Sequence, residues 1–499
     1  SPVPFLDPLE YASGLFRYPY GCAEQTTSKA MPWLIDSPIL DKVKEDAANK
    51  SGQRYRYSDL SIKNKSTEQM LEAAVMRLTK MQKANGGFGL WNKYGKEEPW
   101  LTVYVTDFLY QTAQKYPNIV PKQMLSSAMS RISSYKATEG SSALYYAAWV
   151  LAKANKISYA QLEQIEITPI SSSLSAAHIA GAALLLGDVN KAEYYFDNIK
   201  RYQREKYNYW LGDYGSLVRD YAKTVAIISE LEQQMKLPTN ITRLRNELVA
   251  KLQDALPKRY YLSTQEQTAL VTAGIALTKG NDKAFSLDID AQGQDYQGLS
   301  AAKISTGTVI ENTNDHELFI QIRAKGYNSN NRYLRSTIPT KTFTKTIKNR
   351  DGKLYDGEPV AVGEKLIVSV VIDVEEKLDN AMLIDFIPSG FVIENPDFTD
   401  ANDILASNKL TNTNANHIEY RNDRFIASAD IRRYGSYQFH YVIRAETPGQ
   451  AIMPKGYIED MYNPERFAFA SAPVKAIEII IEKPEESMLD ALKNMFSDE

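Results

Sequence analysis

The stretch Tyr18-Pro19-Tyr20-Gly21-Cys22-Ala23-Glu24-Gln25-Thr26-Thr27 holds the only cysteine of the chain. Pro19 and Gly21 are turn residues, so the stretch reads as a turn entering a helix, and Gly21 is expected to take φ > 0 and let the loop curl. Cys22 and Gln25 stand three apart at this entry, a spacing that lets their side chains meet on one face. A thiolate beside a glutamine carboxamide permits one unusual reaction: sulfur attacks the amide carbon, ammonia leaves, and an internal thioester remains. A thiol of pKa near ~8.5 is a far better leaving group than an amine. The product is therefore a stored acylating agent, inert while buried. The competing reading is a buried structural cysteine, the commonest state of a lone Cys. Glu24 reads as a loop-positioning or proton-accepting group, or equally as a solvated or capping carboxylate. Phe16, Tyr18, Tyr20 and Trp33 make the neighbourhood aromatic, which suits core packing and a water-excluding lid alike.

Outward from this stretch, 499 residues suggest about three domains. Lys and Arg number 58 against 61 Asp and Glu, a net charge of −3, which argues against nucleic acid as the main partner. Hydrophobic content of 43% and charged content of 24% are those of a globular protein. No apolar run approaches the ~20 residues of a membrane helix, and Ser1-Pro2-Val3-Pro4-Phe5 has no signal-peptide character. One cysteine excludes a disulfide framework, and four scattered histidines show no metal-binding spacing; no metal and no cofactor are expected.

Residues 1 to about 280 read as helical. Ser66-Thr67-Glu68-Gln69 is a capping box, and Met70, Leu71, Ala74, Val75, Leu78 and Met81 follow at helical spacing until Asn85-Gly86-Gly87 stops them. Similar blocks span 100–115, 121–134, 141–154, 171–186, 190–202, 216–234, 241–256 and 264–279, with further segments near 26–35 and 38–49. The 171–186 block is apolar nearly all round and should be deeply buried. About a dozen helices on short turns suit a ring of hairpins. Beyond Lys279-Gly280 the period changes to two. Thr308–Glu311 and Glu317–Ala324 read as a hairpin around Asn312-Thr313-Asn314-Asp315, and 327–332 as a linker. Strand signals at 360–362, 365–374, 381–386, 424–430, 436–445, 468–470 and 474–481 predict a β-sandwich. Residues 483–499 form a charged tail.

The wider string resembles the G-C-x-E-Q thioester signature of the α2-macroglobulin and complement C3 family, in its bacterial form. Trp100-Leu101-Thr102-Val103-Tyr104-Val105 is similar to the W-L-T block that follows the thioester there, with Gly86-Gly87-Phe88-Gly89 ahead of it. Ile458-Glu459-Asp460-Met461-Tyr462-Asn463-Pro464-Glu465-Arg466 resembles a segment of the terminal macroglobulin domain. The resemblance implies a multidomain α + β chain: residues 1–280 an α/α toroid, the thioester domain; 281–336 the C-terminal half of a CUB-type β domain; 337–482 the terminal macroglobulin-like β-sandwich. The chain would be a fragment whose upstream domains and bait region are missing.

The same resemblance implies a broad-spectrum protease inhibitor rather than an enzyme. In it Cys22 and Gln25 form the cross-link, Gly21 and Glu24 support it, and Tyr18 and Tyr20 shield it. The partners would be proteases captured through lysine, and by family analogy a cell-wall synthesis protein of the penicillin-binding type. A monomer in the periplasm is expected, the intact protein lipid-anchored. One departure bears on chemistry. Complement-type members attack the thioester with a downstream histidine, but the first histidine here is His178, read as a hydrogen-bonded core residue. Amines should therefore react better than hydroxyls. Outside the resemblance, two alternatives stay open: a toroid enzyme of glycosidase or cyclase type, marked by an acidic cluster in the toroid mouth, and a docking fragment with no active thioester.

Overall fold

The helical part follows the predicted blocks closely. In chain order it comprises α1 (Pro8–Arg17), α2 (Ala23–Ala30), α3 (Thr67–Thr79), α4 (Pro99–Lys115), α5 (Lys122–Ser133), α6 (Ser141–Lys153), α7 (Tyr159–Glu166), α8 (Ser173–Leu185), α9 (Val189–Asp197), α10 (Leu217–Gln234), α11 (Thr239–Ala255) and α12 (Thr264–Thr278). The computed structural model describes residues 1–2, 4–17, 21–35, 65–204, 211–259, 261–279, 283–322, 336–471 and 476–481. Tyr18, Pro19, Tyr20, the helix expected at 38–49, the 327–332 linker and the charged tail lie outside them. Two compact units divide the chain, Ser1–Tyr327 and Asn328–Glu499.

Within the first unit α2, α4, α6, α8, α10 and α12 pack side by side in that order, and α12 returns onto α2 to close a ring. The other six helices pack outside it: α1 on α12, α3 on α2, α5 on α4, α7 on α8, α9 on α8 and α11 on α10. The inner six all run one way. First-turn contacts agree with this: Glu24 meets Thr264 and Gln265, Ser142 meets Ser171, and Arg219 lies over the Trp100 ring at 4.9 Å. All six inner N-termini thus open on one mouth.

Sequence explains which helices are inner. α6 and α8 are buried on every side, whereas α7 buries only Leu162. Small residues let α8 sit there: a Cβ on Gly181 would stand 2.7 Å from the Trp149 ring, so only glycine admits that indole. Ser66 caps α3 as predicted, its hydroxyl accepting from the Gln69 N–H while Gln69 Oε1 accepts from the Ser66 N–H.

The unit ends in an antiparallel sheet of β1 (Ala284–Ile289), β2 (Gln292–Gln297) and β3 (Ile310–Asn312), in the order β2-β1-β3. The hairpin is β1–β2, turning through Asp290 and Ala291 at φ 51° and 62°, and not the predicted pairing of 308–311 with 317–324. Residues 317–322 form no strand. Phe319 instead exchanges backbone hydrogen bonds with Ser1, its N–H donating to Ser1 O at 2.9 Å and its carbonyl accepting from the Ser1 amino group at 3.1 Å, so this segment is paired away from 308–311.

The second unit is a sandwich. Its elements are β4 (Thr340–Lys348), β5 (Val360–Ala361), β6 (Lys365–Val374), β7 (Leu378–Phe386), β8 (Phe391–Ile393), α13 (Ala401–Ser407), β9 (His417–Arg421), β10 (Arg424–Ile431), β11 (Ser436–Ala445), β12 (Gly449–Ala451), β13 (Tyr457–Asp460), β14 (Asn463–Phe469) and β15 (Ile477–Ile480). One sheet runs β14-β13-β7-β10-β9, another β4-β6-β11-β8, and a small third β12-β15-β5. Phe425 stacks on Tyr441 at 4.7 Å, joining the two large sheets through the core. That core also buries an ion pair: Lys345 Nζ donates to Asp385 at 2.6 Å and to the Phe386 and Pro454 carbonyls, while Tyr441 donates to the other Asp385 oxygen.

Candidate functional site

Cys22 is the N-cap of α2, with extended backbone (φ −63°, ψ 170°). Its sulfur accepts from the Gln25 N–H at 3.5 Å, and the Cys22 N–H donates to Gln25 Oε1 at 3.4 Å. This is the geometry of the Ser66–Gln69 capping box, with a thiol in place of the hydroxyl. The box places sulfur and carboxamide together at one helix end. Both side chains are out of water, Cys22 0% and Gln25 1% exposed. The end of α2 favours negative charge, and the Cys22 N–H faces the carbonyl oxygen where charge builds when the acyl carbon is attacked.

Glu24 is fully buried, so it is neither the solvated nor the capping carboxylate weighed above. It accepts from Ser28 Oγ at 2.5 Å, Thr264 Oγ1 at 2.9 Å and Gln265 Nε2 at 2.7 Å. Ser28 shares a hydrogen bond with the Tyr104 hydroxyl at 3.0 Å, and burial, with the Glu24 charge second, holds that phenol well above its usual range. Glu24 therefore bolts α2 to α12, while Ser28 links α2 to α4. Gly21 has no positive φ, contrary to expectation. Its lack of a side chain serves space: a Cβ there would lie 2.5 Å from the Arg77 guanidinium, whose Nε donates to Gly21 O at 2.7 Å. Leu90 O, in the hairpin after Gly86-Gly87-Phe88-Gly89, accepts from the Ala23 N–H at 2.7 Å. Trp33 belongs to the ring's core. The shielding assigned to Tyr18 and Tyr20 lies outside the described residues.

Residues 6–157 match the A-macroglobulin TED domain, and residues 340–465 match the bacterial α2-macroglobulin MG10 domain. The α2-macroglobulin of Escherichia coli K12 is 28% identical over 507 residues, which cover 94% of this chain and 29% of that protein. The chain belongs to the bacterial α2-macroglobulin family. It spans less than a third of the length of the family members it matches; an α2-macroglobulin of Xylella fastidiosa gives the same 28% over 93% of this chain and 29% of its own. Among solved structures, native E. coli α2-macroglobulin from domain MG7 to the C-terminus superposes with a TM-score of 0.74 at 23% identity, covering 96% of this chain and 76% of that one. Salmonella α2-macroglobulin reacted with methylamine gives 0.74 at 25% identity, covering 96% and 31%. The helical ring followed by β domains thus has the fold of the C-terminal region of bacterial α2-macroglobulins.

Other candidates fare less well as chemistry. His178 is buried in α8 but makes no hydrogen bond through Nδ1; it stacks on Tyr146 at 4.4 Å, not the hydrogen-bonded state expected. Burial, and then the Arg219 charge, push its pKa well below the ordinary value. The acidic residues at the N-terminal mouth are tied off. Asp213 and Asp220 are clamped by Arg204 and Arg219 at 2.6–2.8 Å. Burial alone would raise Asp213, but the Arg219 and Arg204 charges hold it well below the carboxylate range. A glycosidase needs one protonated carboxyl of its pair, and Asp213 is held ionised while both carboxylates are spent on arginine. Among the described residues no group of three or more His, Cys, Asp or Glu side chains could hold a metal ion, and no helix is long and apolar enough to cross a membrane. Sequence reading missed Arg77, Ser28, Tyr104, Thr264 and Gln265. The one available signal was Glu24 itself, the only acidic residue of α2, which needed donors from elsewhere.

Proposed function

We propose that Cys22 and Gln25 form an internal thioester, and that the chain is the C-terminal part of a protease trap that acylates its captives. The observation that carries this is the reciprocal Cys22–Gln25 capping box, sealed from water at a helix N-terminus. In the forming step the Cys22 thiolate attacks Gln25 Cδ, the C–N bond breaks, and ammonia leaves with the thiol's proton. In the capture step a neutral amine adds to the same carbon, the C–S bond breaks, sulfur leaves as thiolate, the amine's extra proton passes to water, and an amide to Gln25 remains. The methylamine-reacted Salmonella relative supports amine reactivity here.

Lysine is the preferred nucleophile on this reading. An attacking histidine would be needed to activate hydroxyls, and His178, alone among the histidines in the helical ring, is stacked and held neutral. The event is a single turnover, so the protein is an inhibitor and not an enzyme. The domain assignment goes with it: 1–280 the thioester domain, 281–336 half of a CUB-type domain, 337–482 the macroglobulin-like sandwich, 483–499 a tail. Tyr18 and Tyr20 shield the thioester. The intact protein acts as a monomer in the periplasm, lipid-anchored, against proteases, beside a penicillin-binding type of partner.

Intact mass decides the chemistry. Fresh protein should weigh less than its sequence by one ammonia, and methylamine should add once while releasing one thiol. Protein of full sequence mass that takes up no methylamine refutes the thioester.

A further inference from the structure

We propose that Arg77 activates the acyl carbon of Gln25 through the Gly21–Cys22 peptide bond, an inference that rests on the thioester reading above. Arg77 Nε donates to Gly21 O at 2.7 Å. The other end of that same peptide unit, the Cys22 N–H, donates to Gln25 Oε1 at 3.4 Å. The donors form a relay: guanidinium, peptide carbonyl, peptide N–H, reacting carbonyl. A hydrogen bond at a peptide oxygen polarises the unit and strengthens its N–H as a donor, and a guanidinium brings a full, permanent charge.

The relay acts where the reaction needs it. When an amine adds to the acyl carbon, the C=O electron pair moves onto Oε1, the atom that faces the Cys22 N–H. Collapse then breaks the C–S bond, sulfur leaves as thiolate, and the ammonium proton passes to water. A 3.4 Å bond is long in the resting state, and catalytic hydrogen bonds of this kind tighten as charge develops. Thr26 Oγ1 donates to the same Gly21 oxygen at 3.3 Å, fixing the plane of the peptide.

Two further features belong to this device. Arg77 sits in the last turn of α3, where the helix end favours a cation. Gly21 gives it room: a Cβ would stand 2.5 Å from both Cζ and Nη2 and 2.8 Å from Nε. Any side chain at position 21 therefore displaces the guanidinium. Arg77 is a positioning residue in this scheme, acting on the carbonyl through Cys22.

The test uses the full chain and methylamine, with thiol release as the rate and thermal unfolding as the folding control. A donor placed directly on an oxyanion is worth about 10²–10³ in rate. Arg77 acts one peptide away, so Arg77→Ala should slow aminolysis about tenfold. Added millimolar guanidinium ion should restore much of that loss and leave the wild type unchanged, a rescue that a merely structural role would not give. Gly21→Ala should show the same slowing, and the double variant should be no slower than either. If Arg77→Ala melts early, Arg77→Gln replaces it, keeping an N–H donor without the charge and falling between the two. A folded Arg77→Ala that reacts at the wild-type rate, or is slowed and ignores guanidinium, overturns the proposal. A wild type that neither lacks ammonia nor takes up methylamine overturns the thioester reading itself, and the relay with it.

Discussion

Replacing Glu24 separates its structural task from a chemical one. In Glu24→Ala three buried donors lose their acceptor: Ser28 Oγ, Thr264 Oγ1 and Gln265 Nε2. Ser28 can turn its proton to Tyr104, 3.0 Å away, and Gln265 Nε2 keeps Ser28 Oγ at 3.1 Å for one of its N–H groups, which leaves two hydrogens stranded, the Thr264 hydroxyl and the other Gln265 N–H. At about 1–3 kcal/mol for each unsatisfied buried donor, with about 1 kcal/mol more for the space vacated, the loss should be about 3–7 kcal/mol. Glu24→Gln keeps the volume and one acceptor oxygen, so about 1–2 kcal/mol is expected. All five tryptophans lie in the first unit, at positions 33, 91, 100, 149 and 210, so tryptophan fluorescence in a urea titration reports the helical ring without interference from the sandwich. The methylamine pH–rate profile of Glu24→Gln should keep the wild-type shape, because Glu24 is engaged in holding helices together. A wild-type unfolding midpoint for Glu24→Ala would refute the bolt, and loss of an ionisation from the Glu24→Gln profile would show that Glu24 handles a proton after all.

Cys22→Ala should retain its ammonia, take up no methylamine and form no covalent adduct by mass spectrometry, while losing only the ~1 kcal/mol of an N-cap. Lys345→Met should cost about 3–5 kcal/mol by stranding the buried Asp385 carboxylate, and Lys345→Met with Asp385→Leu should regain most of it in the calorimetric transition of the sandwich. His440 is buried between strands, with Ser369 Oγ 2.8 Å from Nδ1 and no partner for Nε2; burial, then the Lys348 charge, push its pKa down to about 4. The unfolded chain takes up that proton near pH 6.5, so stability present above pH 6.5 should fall as pH drops toward 4, by up to about 3 kcal/mol. Denaturant titrations across that range should show the decline in wild type and not in His440→Gln.

Periodicity carried most of the fold. Eight helix blocks between 100 and 279 and the strands at 365–374 and 436–445 were legible because each buries one face or all faces of a long regular element. The strand expected over 317–324 was a misreading, because Phe319 pairs its backbone with Ser1, and alternation says nothing of a partner so far along the chain. At the site, the Cys22–Gln25 pair was legible from spacing, since a capping box is local. Its supports were not. Arg77 lies 56 residues away and Thr264 240, and a closed ring of helices sets those distances without any local mark. The role of Gly21 was misread for the same reason, since its need for space is set by a neighbour and not by its own backbone.

The closure of that ring also sets a schedule. α2 is the segment that α12 must meet, and residues 24 and 28 find Thr264, Gln265 and Thr268 only after some 240 intervening residues exist. Until then Cys22 is an unguarded thiol on a short helix that cannot hold its shape alone. Once the ring shuts, sulfur and carboxamide are enclosed together. Under the proposed function, the thioester would thus be a certificate of completed assembly, and a chain stalled before α12 would carry no charge to misfire.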